Sequence, residues 1–380
     1  MNGRFNFILG GLLIRLLAVA YIARAGEMQI LAGTDSLSFF LNAQYIAMSG
    51  QYLPWEIGWN PYVNIAGFLM SGIGPNIVLM CLFSVLGWFL STIVVDRGLA
   101  LMHVSDQNRN IAAAVMAFYP TGVFVTFLPL REPFQMLGLA LMGYAMLRVV
   151  SLRQFGYIGL FLVGFVMAGS THMATATMAL ASVAGMFLYW AIFRSDRLII
   201  GRLSMAMVVV AVVFLAILSF IESGSYDLSG GLLSSVESFQ QTGASLDARA
   251  QYKTEIDAGT GIASIFFILV GFIQYMVEPL PWRISTLGDV VVLAENSARL
   301  MLIGLAVIGI RASSGPRRAT ALMFLYLYIA GEVLWSLGTI NWGTAARHHA
   351  PQIPLLLFSV MAGNPLRLLT PRTGRWRAAT

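Results

Sequence analysis

The chain has 380 residues, 58% of them hydrophobic and only 11% charged, and a net charge of +6. Soluble domains are roughly a quarter charged, so a soluble enzyme is excluded and a polytopic membrane protein is implied. A single cysteine, Cys81, excludes an intrachain disulfide, and the excess arginines fall in short loops and the tail, a pattern of membrane orientation and not of nucleic-acid binding.

In chain order, apolar segments are predicted at 6–24, 61–74, 76–96, 110–129, 134–150, 155–171, 173–193, 203–221, 261–278, 289–310, 319–338 and 350–364. They predict an all-α fold of about 10–12 transmembrane helices forming one domain over 1–380, with amphipathic helices on the outer surface. The first segment imitates a signal peptide, but its length and Arg15 argue for an uncleaved helix. The acidic loop within 25–75 follows. In it Asp35 suits a helix N-cap, and Leu37, Phe40, Leu41, Tyr45 and Met48 recur at helical spacing, which predicts a helix lying on the membrane surface.

Segment 61–74 is rich in glycine and short for about 30 Å of hydrocarbon, so it reads as an interfacial or re-entrant element. Next comes Arg131-Glu132, bracketed by Pro129 and Pro133 within otherwise apolar sequence. Ionisable groups in hydrocarbon cost about 2.5–3.5 kcal/mol each on insertion scales, so such a pair faces a cavity or a partner. The two prolines predict a break between helices at this point. His172 lies at the turn between two closely spaced helices, and the loop 222–260 is acidic. Segment 261–278, followed by Pro279, Pro281 and Trp282, reads as a second partial crossing. Glu295 and Arg299 stand one turn apart in an apolar helix and read as a structural pair. Arg15 is a candidate partner for the intramembrane Glu332. Near the end, Arg347, His348 and His349 precede a helix that Pro351 helps to start.

Charge bookkeeping over the loops is satisfied by ten spans and two partial elements. It places Arg97, Arg109, Arg148, Arg153 and the basic tail 365–380 in the cytoplasm, and it places 25–75, Arg131-Glu132, 222–260 and Arg347-His348-His349 outside. A carboxylate such as Asp35 can deprotonate an acceptor hydroxyl, and arginines can hold a phosphate or diphosphate leaving group. An adjacent histidine pair is poor metal geometry for one helix face, and no dedicated metal motif exists in the sequence.

The order of features (first helix, external loop with an early acidic residue in GTDSLSFFLNAQYIAMSGQY, then the charged site at Arg131-Glu132) resembles the GT-C superfamily of polyprenyl-linked membrane glycosyltransferases. The protein O-mannosyltransferases and lipid A aminoarabinose transferases belong to it. IQYMVEPLPWRISTLGDVVVLAEN and GTAARHHAPQIPLL are similar to bacterial membrane proteins of polysaccharide gene clusters, some of them like O-antigen polymerases. The resemblance implies Asp35 as catalytic base with Glu132 assisting. It implies Arg131 and Arg347 on the carrier phosphates, with His348 or His349 as a further phosphate contact and His172 as a further substrate contact. A polyprenyl-(di)phosphate-linked sugar or glycan would be the donor, a glycan or lipid-linked molecule the acceptor, and membrane lipid the surroundings. No cofactor is certain; a divalent cation, Mg or Mn, is compatible with the first-loop carboxylate. The implied location is the outer face of a bacterial inner membrane. One departure is that Asp35 is followed by Ser36, whereas many members carry two adjacent acids. The rival reading is a transporter or flippase for an anionic or lipid-linked solute. Against it stand the lack of an internal repeat and the gathering of ionisable residues at one face.

Overall fold

The computed structural model describes residues 3–25, 35–172, 250–252 and 262–363, together with parts of 174–189. Among them the only regular structure is helical, apart from one isolated bridge between Gln251 and Asn341. In chain order the helices are α1 (Gly3–Ala25), α2 (Asp35–Ser49), α3 (Asn60–Ser71), α4 (Ile77–Leu101), α5 (Asp106–Phe118), α6 (Pro120–Phe127) and α7 (Glu132–Met146). They continue with α8 (Ile158–Thr171), α9 (Ile262–Val277), α10 (Leu287–Ala312), α11 (Gly315–Gly338), α12 (Trp342–His349) and α13 (Ile353–Gly363).

Among the described residues, five helices are long and apolar enough to cross a membrane: α1, α4, α7 with its extension to Val150, α10 and α11. The bent pair α5–α6 makes a sixth. The chain is thus an all-α membrane protein. The described residues do not reach the count of ten to twelve spans. Segment 203–221, loop 222–260 apart from 250–252, most of 173–193, and the tail 365–380 lie outside them. Lipid-facing surface is plain on α1, where Phe5, Leu9, Leu13, Leu17 and Tyr21 are exposed while Arg15 is buried.

The helices run alternately between two ends of the bundle. At one end Arg4 pairs with Asp96 and Asp106, and Arg109 meets Asp96 at 2.6 Å. Met102 packs there against Ile310, Ala321 and Ala362. The helix termini place Arg97, Arg148, Arg153, Arg311, Arg317 and Arg318 at this same end. At the opposite end lie the starts of α2, α7 and α10 and the ends of α8 and α11. From that end, α12 and α13 together descend the length of α10: Trp342 Nε1 donates to Asp289 at 2.9 Å, and the Ser313 hydroxyl donates to the carbonyl of Gly363 at 3.1 Å.

Packing is close where side chains are small. A Cβ on Gly138 of α7 would sit 2.7 Å from the carbonyl of Gly164 on α8, and one on Gly164 would sit 2.6 Å from the carbonyl of Gly138. The two backbones approach because neither position has a side chain.

The bend between α5 and α6 is 54° and has an identifiable cause. Pro120 has no N–H, so the carbonyl of Met116 loses its partner one turn back. The Trp88 indole fills that vacancy, Nε1 donating at 2.8 Å. Arg15 donates to the carbonyl of Ala117 at 2.9 Å and to Thr126 at 2.6 Å, with its guanidinium 3.7 Å from the Trp88 ring centre. The backbone N–H and hydroxyl of Thr121 both donate to Glu295.

These contacts correct two sequence expectations. Arg15 does not reach Glu332, because the carbonyl freed by the bend takes its donors. Glu295 does not serve Arg299; the start of α6 holds its carboxylate, and Arg299 turns to Glu332.

Two further expectations gain detail. Segment α3 spans 12 residues, or about 18 Å, shorter than the hydrocarbon core, and packs on α2. In α2 the buried face is Ser36, Phe39, Phe40, Ala43 and Ile46, while Leu41, Tyr45 and Met48 face outward. The helix is therefore apolar on two sides, one packed on protein and one open.

Candidate functional site

Arg347 joins two carboxylates from distant parts of the chain. Its Nη1 donates to Asp35 Oδ2 at 2.9 Å, and its Nε and Nη2 both donate to Glu132 Oε1, the former at 3.1 Å. The elements bring these groups together for local reasons. The break predicted at Arg131-Glu132 is present: α6 ends at Phe127, and α7 restarts at Glu132 with Pro133 in its first turn. A carboxylate in the first turn meets the positive end of the helix dipole. Asp35 likewise opens α2. Asn341 caps α12 by accepting from the N–H of Thr344, and the basic residues occupy that helix's last turn, where the dipole favours them.

Exposure separates the two acids. The Glu132 side chain is 4% exposed and that of Asp35 59%, so the first is a fixed counter-ion and the second is open to a ligand. Arg347 lies between these environments. Burial alone would lower its pKa, but Glu132 and Asp35 outweigh burial and hold it above arginine's usual value. Arg131 stands beside the group. Its Nη1 donates to the carbonyl of Thr171 at 2.9 Å, and its guanidinium lies 5.8 Å from the Phe39 ring centre.

Next to the arginines is a cluster of three rings, of which one pair is stacked and the others are tilted. Trp335, near the end of α11, lies 3.8 Å from the His348 ring at an interplanar angle of 23° and 4.2 Å from the His172 ring. Both histidines are pushed well below their ordinary pKa, by burial first. For His172 the next causes are Arg131 and Arg347; for His348 they are His172, Arg347, His349 and Arg131. They are neutral imidazoles at physiological pH.

His349 lies elsewhere. Successive helical residues point about 100° apart, so a helix that turns Arg347 and His348 toward the site turns His349 into the bundle. There its Nδ1 lies 2.6 Å from Glu332 Oε2 and 2.6 Å from Arg299 Nη1, with all three residues buried. One ring nitrogen either donates to the carboxylate or accepts from the guanidinium, so only one of these is a hydrogen bond at a time. Arg299 also donates to the carbonyl of Met276 and to Asn296.

Six of the seven residues singled out in the sequence, namely Asp35, Arg131, Glu132, His172, Arg347 and His348, therefore gather at one end of the bundle, and His349 does not. Sequence reading missed Trp335, Thr171, whose carbonyl holds Arg131, and Thr339, whose hydroxyl oxygen lies 2.9 Å from His348 Nδ1. A tryptophan near a helix end reads as a lipid-interface anchor, and nothing in its spacing announces contact with two histidines.

A divalent cation does not fit this donor set. The two carboxylates already flank a guanidinium, and among the described residues no group of three His, Cys, Asp or Glu side chains could hold a metal. Comparison with protein-family models, with curated proteins and with solved structures gives no match.

Proposed function

We propose that the chain is a membrane glycosyltransferase or polysaccharide polymerase, moving a sugar or glycan from a polyprenyl-(di)phosphate carrier to a hydroxylated acceptor. One observation carries the reading: a half-buried arginine shared by an open and a buried carboxylate, beside a second arginine, at the end of the bundle opposite most of the loop arginines. The positive-inside rule makes that end the non-cytoplasmic face, and a bacterial inner membrane suits a polyprenyl-linked donor.

In the proposed reaction the acceptor oxygen attacks the anomeric carbon, and the bond from that carbon to the carrier phosphate oxygen breaks. Asp35 takes the hydroxyl proton. Arg131 and Arg347 neutralise the departing phosphate as its charge grows. Glu132 positions Arg347 and touches no substrate. In the resting arrangement Asp35 and a phosphate compete for Arg347 Nη1, so donor binding frees the base.

The test replaces Asp35 with Asn, and Arg131 and Arg347 with Ala, one at a time, and follows surface polysaccharide together with lipid-linked intermediates. Loss of polymer with accumulation of carrier-linked precursor supports the reading. Normal glycan at normal protein abundance in all three variants overturns it. A transporter of an anionic or lipid-linked solute is the second reading, favoured by the buried Arg299–Glu332–His349 group inside the bundle. Solute flux into vesicles that depends on Glu332, without glycan transfer, would support it.

A further inference from the structure

His172 and His348 carry opposite hydrogen-bonding characters, and hydrogen-bond geometry fixes which is which. The hydroxyl of Thr339 has one hydrogen, and it donates to the carbonyl of Trp335 at 2.7 Å. Thr339 Oγ1 also lies 2.9 Å from His348 Nδ1, so in that contact the oxygen can only accept. His348 therefore carries its proton on Nδ1 and presents a lone pair at Nε2. At His172 the backbone N–H of Ala174 donates to Nδ1 at 3.1 Å. Nδ1 is thus the acceptor there, and a neutral ring keeps its proton on Nε2.

The ring centres are 6.1 Å apart, and Trp335 holds both rings, His348 stacked on the indole and His172 tilted against it at 45°. No protein partner meets either Nε2 among the described residues. A phosphate, which offers only acceptor oxygens to this pair, would meet a lone pair at His348. A hydroxyl both donates and accepts, and so matches both nitrogens.

We infer that His172 and His348 form a subsite for the hydroxyl groups of a neutral saccharide, while Arg131 and Arg347 beside it take the anionic part of the ligand. This deepens the proposed function and rests on it for one point, that the saccharide is the acceptor glycan. The division also revises the expectation of a histidine–phosphate contact. The Trp335 ring is itself buried, so saccharide recognition comes from the two nitrogens and not from stacking on the indole.

Binding to the purified full chain in lipid nanodiscs tests the inference. The probes are a panel of neutral di- and trisaccharides (hexose, deoxyhexose and N-acetylhexosamine) and, separately, inorganic pyrophosphate. His172→Phe and His348→Phe keep a ring against Trp335 and remove both nitrogens. Each is expected to weaken saccharide binding roughly three- to tenfold, the worth of one neutral hydrogen bond, and to leave pyrophosphate within about twofold. Arg347→Ala is expected to do the reverse. His348→Gln, which restores a side-chain acceptor, should recover part of the saccharide affinity, and it decides the matter if a Phe variant fails to fold. Pyrophosphate affinity falling with saccharide affinity unchanged overturns the subsite, and so does a wild-type chain that binds no saccharide of the panel. The two proposals fail separately. Histidine-dependent saccharide binding together with normal glycan in the Asp35, Arg131 and Arg347 variants removes the transferase and keeps the subsite.

Discussion

Arg347 stands between two acids that differ in what their loss would cost. Removing the arginine leaves Glu132 buried without its cation, a loss of about 3–5 kcal/mol for a fully buried pair and less here because Arg347 is 23% exposed. Arg347→Ala should therefore lower the thermal unfolding midpoint in detergent, and adding Glu132→Gln should restore most of it without restoring activity. Asp35→Asn should change stability by less than about 1 kcal/mol, as for an exposed pair, while abolishing transfer. A large stability loss in Asp35→Asn would show that the open carboxylate is structural. The histidines carry a pH signature. A histidine whose pKa is depressed by folding takes its proton more readily when unfolded, so its contribution is intact above about pH 6.5 and is lost as pH falls below it. Unfolding midpoints should decline from pH 7 to pH 5, and less steeply in the His172→Phe/His348→Phe double variant. Equal slopes in the two proteins would mean that other groups set the acid sensitivity.

At the scale of elements, the sequence was most readable where the backbone chemistry is strongest. Pro129 and Pro133 forecast the break before α7, and the short glycine-bearing stretch forecast a short α3. Contacts between elements were not readable. The helical spacing of Leu37, Phe40, Leu41, Tyr45 and Met48 announced an amphipathic helix, yet the packed face follows Phe39, Ala43 and Ile46 because α3 is also apolar and covers it. Consecutive histidines look alike in sequence, and only the phase of α12 sends one to the site and the other to Glu332. Arg15 shows the same limit, since its partner is a carbonyl exposed by a bend that is itself tertiary. That bend supports a prediction. Trp88→Phe keeps the ring over Arg15 but orphans the Met116 carbonyl, at a cost of about 1–3 kcal/mol. In the Pro120→Ala background the carbonyl regains a helical donor, so Trp88→Phe should cost measurably less there. Equal costs in the two backgrounds would separate the indole from the bend.

Over the whole molecule, charge sorts itself by end. Arg4 and most of the described loop arginines occupy one end, and the carboxylate–arginine group, together with Arg283, occupies the other. The sign of each loop was legible in the sequence, and this is why six scattered residues could be expected on one face before any contact was known. Their depth was not legible, because Glu132 is set among α4, α7 and α12 by packing and not by its own sequence. Orientation can be measured directly because Cys81 is the sole cysteine and is buried. Gln51→Cys should react with a membrane-impermeant thiol reagent from outside intact cells, and Ser314→Cys only after permeabilisation. The opposite result would put the proposed site in the cytoplasm and remove polyprenyl-linked transfer on the outer face.

The bend at Pro120 has a consequence for how the chain is made. Its three freed backbone groups are met by Trp88 and Arg15, which precede it in the chain, and by Glu295, which follows it by more than 170 residues. As synthesis proceeds, both carbonyls find donors within the first hairpins to enter the bilayer. The start of α6 must wait for α10. Until then Thr121 and its neighbours form an unfilled acceptor-seeking notch inside the membrane, and Glu295 has no other described hydrogen-bond donor to settle on. The late helix is thus drawn to one place in the early bundle, and the proline acts as an assembly mark that orders the second half of the molecule against the first.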